Sequence, residues 1–97
     1  MQLIRFNLYD DMDTKKEKAM EVFNKLRTLE RVEASALCPA SAMEMAKLLV
    51  QLDSKRVIAM IEVHGFFLRI YRADLDGFRF GAVINDVRGR ISGSQND

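Results

Sequence analysis

The chain opens on a two-residue alternation. From Gln2 to Tyr9, residues Ile4, Phe6 and Leu8 fall on one side of an extended segment, with Leu3, Arg5, Asn7 and Tyr9 on the other. The acidic run Asp10-Asp11-Met12-Asp13 ends that pattern, and the period then changes. Ala19, Val22, Phe23 and Leu26 recur at helical spacing, with Met20 and Leu29 widening the stripe. Thr14-Lys15-Lys16-Glu17 has the spacing of a capping box, so the first helix is expected to open at Thr14. Glu21 and Lys25 add an i,i+4 pair in the favourable order.

Val32, Ala34, Ala36 and Cys38 alternate with Glu33, Ser35 and Leu37, which suits a short strand; the alanines equally suit a continuing helix. Pro39 closes the segment. A second capping box, Ser41-Ala42-Met43-Glu44, predicts a helix running to Leu52 with Ala42, Met45, Ala46, Leu49 and Leu52 as its stripe. Met43, Leu48 and Val50 make that helix apolar on other sides too, as expected of one with more than one packing partner. After the loop Asp53-Ser54-Lys55, two β-rich runs, Val57 to His64 and Phe66 to Arg72, meet at a two-residue turn of His64 and Gly65. That turn sets Ile61 opposite Leu68 and Ala59 opposite Ile70. Leu75-Asp76-Gly77 reads as a three-residue turn into a strand from Phe78 to Ile84, or else into a short helix from Ala82 to Arg88. Gly89 to Asp97 is polar and rich in Gly and Ser, and reads as a flexible tail after a single domain of residues 1–88.

The expected fold is α+β: a two-layer sandwich of two helices on one face of a mostly antiparallel sheet of four to five strands. The order is β-α-(β)-α-β-β-β, partly ferredoxin-like in its first half. Ninety-seven residues suffice for one core, and a hydrophobic fraction of 48% excludes a disordered chain. A net charge of +1 argues against bulk duplex DNA or an anionic membrane surface as partner. The only cysteine, Cys38, excludes an internal disulfide. No run reaches bilayer-spanning length, and the opening segment, interrupted by Arg5 and Asn7, lacks a signal peptide's apolar core. The expected compartment is the cytoplasm.

Alternation assigns Ile4, Phe6, Leu8, Val57, Ala59, Ile61, Val63, Phe66, Leu68, Ile70, Phe78 and Phe80 to the helix-covered side of the sheet. The other side carries Arg5, Tyr9, Ile58, Met60, Glu62, His64, Phe67, Arg69, Tyr71, Arg79 and Val83. Soluble monomers usually avoid leaving such an aromatic and aliphatic patch wet. Three readings follow: the segment from Val87 to Ile91 folds back over the patch, the patch is a protein interface, or its aromatics and arginines bind nucleic acid.

No catalytic constellation is present. His64 is the only histidine and has no Ser, Cys or Asp partner at a telling spacing, so it reads as a turn residue. Cys38, just before the second helix, reads as a small buried hydrophobe rather than an activated thiol. One Cys and one His are too few for structural zinc, and the five glycines form no phosphate loop. Asp10, Asp11 and Asp13 either complement the dipole of the first helix or hold Mg²⁺. Tyr9-Asp10, a basic helix and then Arg31-Val32-Glu33-Ala34-Ser35 resemble, over the first half of the chain, the ferredoxin-like CRISPR-adaptation and VapD-type ribonuclease families. Those families place an Asp after their first strand, which would imply a Mg²⁺-dependent ribonuclease centred on Asp10.

The expectation is a non-catalytic regulatory or adaptor module with no cofactor and no metal, which binds another protein or a second copy of itself. Phage and mobile-element inhibitors of host proteins include small domains of this kind. Its binding residues are Arg5, Tyr9, Met60, His64, Phe67, Arg69, Tyr71 and Arg79. A nucleic-acid binder using the same face, and the Asp10 nuclease, are the alternatives.

Overall fold

In the computed structural model, residues 4–7, 9–73, 83–86 and 90–93 are described. The elements are β1 (Ile4–Phe6), α1 (Met12–Leu26), β2 (Arg31–Ala36), α2 (Pro39–Leu52), β3 (Ile58–His64), β4 (Phe67–Arg72), β5 (Val83–Asp86) and β6 (Arg90–Gly93). They build an α+β sandwich in which both helices pack on one face of a six-stranded sheet of order β1-β2-β4-β3-β5-β6. Three of its pairings are antiparallel; β1 with β2 and β3 with β5 are parallel. The crossover β1-α1-β2 joins direct neighbours, and β2 is a strand, not a continuation of α1.

Both helices start three residues before the capping boxes expected from the sequence. Asp11 caps α1, its Oδ1 accepting from the Thr14 amide at 2.8 Å. Asp is at least as good a cap as Thr, so the helix takes the earlier one and Thr14 lies inside it. The Thr14 amide, then its hydroxyl, hold the Asp11 carboxyl below the usual aspartate range. Cys38 is the N-cap of α2 and Pro39 the first helical residue, where its fixed φ is already helical. Ser41 is consequently one turn in and buried.

Ala19, Val22 and Leu26 of α1 and Ala42, Met45, Ala46 and Leu49 of α2 are buried, as their spacing requires. Met20 and Leu29 stay exposed, so the α1 stripe is narrower than its sequence suggests. Beneath the helices, Val32, Ile70, Ile61 and Ile84 form one buried row across β2, β4, β3 and β5.

The β3–β4 turn lies one residue later than expected. Gly65 and Phe66 are its central residues, with Gly65 at φ 62° in the first position, where a type II′ turn needs glycine. The register becomes Ile61 opposite Ile70 and Val63 opposite Leu68. A shift of two residues preserves the face of every strand residue; only Phe66 changes, from the expected core to an exposed turn. At the start of β3 a bulge between Ile58 and Met60 inverts the pleat. Ile58 is therefore buried, not on the outer face, and Ala59 is half-buried. Asp53 braces this point: its Oδ1 accepts from the Val57 amide and its Oδ2 from the Ile58 amide, both at 2.8 Å.

Val83–Asp86 is a strand and not part of a helix. Arg90–Gly93, read from the sequence as tail, pairs with β5 as the edge strand. The expected turn at Leu75 to Gly77, the start of the strand at Phe78, the core positions Leu8, Phe78 and Phe80, and Arg79 lie outside the described residues. Among the described residues no helix is long and apolar enough to cross a membrane.

Candidate binding surface on the sheet

Because both helices pack on one side, the strand residues between the buried ones point away from them. Cross-strand register arranges these in three rows. Arg5, Ser35, Phe67 and His64 form the first, running across β1, β2, β4 and β3. Glu33, Arg69, Glu62 and Asn85 form the second, across β2, β4, β3 and β5. Arg31, Tyr71 and Met60 form the third. Arg5, Phe67 and Arg69 are exposed, and Met60, Glu62, His64 and Tyr71 are half-buried.

Glu33 and Glu62 are paired within the sheet, whereas Arg5 has no ion-pair partner among the described residues. Glu33 Oε2 meets Arg69 Nε at 3.3 Å and Arg31 Nε at 3.7 Å. Glu62 Oε1 accepts the Tyr71 hydroxyl at 2.9 Å and faces His64 Nε2 at 3.3 Å. The Tyr71 hydroxyl, followed by His64 and Arg69, holds the Glu62 carboxyl below the usual glutamate range against a smaller opposing effect of burial. A carboxylate whose pKa is depressed by folding stabilises the fold above its unfolded value, about 4.3, and loses that contribution as pH falls through the lower folded value. The stability advantage of wild type over Glu62→Gln should therefore be constant near neutrality and shrink below about pH 4.3. Melting temperatures across an acid series check this; an advantage that grows on acidification would contradict it.

At one end of the face the β3–β4 turn leaves two aromatic rings in water. Phe66 and Phe67 stack with centroids 5.1 Å apart and planes at 29°. They are 48% and 43% exposed, and Leu37, just beyond the end of β2, is 68% exposed. The Ala36 amide donates to the Phe66 carbonyl at 2.8 Å, which brings the end of β2 against the turn.

Of the residues expected to bind, Arg5, Met60, His64, Phe67, Arg69 and Tyr71 do share this face. Tyr9 does not. Its amide donates to Asn7 Oδ1 at 2.9 Å and the Asp10 amide donates to the Asn7 carbonyl at 3.0 Å, so the chain leaves the sheet at Asn7. His64 ends β3 and is not a turn residue. Five contributors were missed from sequence: Arg31, Glu33, Ser35, Phe66 and Asn85. Arg31, Glu33 and Ser35 depended on β2 being a strand, and Phe66 on the turn position; the alternation of Val32, Ala34 and Ala36 was the available signal for the β2 residues.

The other chemical candidates have structural roles. Asp10 Oδ2 receives Lys18 Nζ at 2.6 Å and the Asn7 amide at 3.2 Å, and Asp11 is the α1 cap. Among the described residues no three His, Cys, Asp or Glu side chains are grouped to hold a metal ion. Cys38 is half-buried; its Sγ lies 3.6 Å from Ser41 Oγ, and the Ser41 amide, then its hydroxyl, hold the thiol below its usual range. Among the described residues no histidine or acid is bonded to it.

The sequence matches no protein-family model, no curated protein and no solved structure.

Proposed function

We propose that this chain is a non-catalytic regulatory or adaptor module that binds another protein through the outer face of its sheet. The observation that carries this reading is the exposed, stacked Phe66–Phe67 pair at the open end of that face. Large aromatic rings on a turn, rimmed by Arg5 and Arg69, are the residue types that anchor protein interfaces. The neighbouring charges favour the same reading. Glu33 is paired with Arg69, and the Glu62 carboxylate accepts the Tyr71 hydroxyl, so both acids keep a partner when water is excluded from the face.

Two further features support it. The segment from Arg90 to Gly93 extends the plane of the sheet instead of folding across it, and among the described residues no element covers the outer face. The face also places Glu33 and Glu62 at its centre, where a nucleic-acid backbone would meet negative charge; single-strand binders present a positive track there. This favours protein over nucleic acid.

Affinity capture with the immobilised chain tests the proposal. A protein retained by wild type should be lost on Phe67→Ser and kept on Gln51→Ser, which alters an exposed position of α2. Retention undiminished by Phe67→Ser would overturn the assignment. Light scattering of wild type against Phe67→Ser separates a second copy of the chain from a different protein as the occupant.

A further inference from the structure

We draw no further inference here: the strongest candidate, the apolar groove between the C-terminal half of α1 and the α2–β3 loop, holds the Asp53 carboxylate beside Arg27 and Lys55, and nothing in the structure shows what covers it.

Discussion

Ile61→Ala is expected to lower the free energy of unfolding by about 2–5 kcal/mol, which urea denaturation monitored by circular dichroism measures directly. Ile61 is fully buried on β3, between Ile70 of β4 and Ile84 of β5. These residues continue to Val32 in a row of four β-branched side chains under the helical layer. Truncation to Ala removes the transfer energy of the lost methyl groups and leaves a cavity that two flanking strands cannot easily collapse. Against a total of about 5–15 kcal/mol for a domain, this is a large fraction of the stability. A loss below about 1 kcal/mol would mean that this row does not face the helices.

Asp53→Ala is expected to cost about 2–4 kcal/mol, and Asp53→Asn roughly half as much. Both effects come from one carboxylate receiving two backbone amides at the entry to β3. The preceding residue, Arg56, has φ 56°, a left-handed conformation that a residue with a Cβ rarely adopts. The Asp53 carbonyl accepts its amide at 3.3 Å, so the same residue brackets the strained position on both sides. Alanine would leave the Val57 and Ile58 amides without partners and free the loop to relax. Asparagine retains one acceptor. Unfolding midpoints that are equal for wild type and Asp53→Ala would show that the loop is held by something else.

The alternation of apolar residues made the inner face legible in advance. Val63, Leu68 and Ile70 are buried as expected, because a register error of two residues leaves every strand residue on its own side. Ile58 failed for the opposite reason: a bulge inserts a single residue and inverts the pleat, and no side-chain pattern announces it. The start of α1 was displaced because Asp11, Asp13 and Thr14 are all cap-competent and the spacing of a capping box does not choose among them; that of α2 was displaced because Pro39, read as a stop, is its first helical residue. The strand β6 left no hydrophobic signature, since an edge strand can be held by backbone hydrogen bonds to one neighbour. On the outer face, Phe67, Arg69 and Tyr71 followed from period two alone. Their pairing partners did not: the contact of Arg69 with Glu33 depends on β2 lying beside β4, a long-range choice that local sequence leaves open.

On the sheet, Arg31 and Arg69 pair with Glu33 beside the exposed rings, which suits a broad contact that excludes water.

Hydroxyl-radical footprinting of the chain, free and in complex with a captured partner, tests the central claim most directly. The rings of Phe66, Phe67 and Tyr71 should lose reactivity in the complex while the Met12 thioether on the helical side keeps its own. Undiminished labelling of those rings, together with protection of Met12, would contradict the assignment of the sheet face as the binding surface.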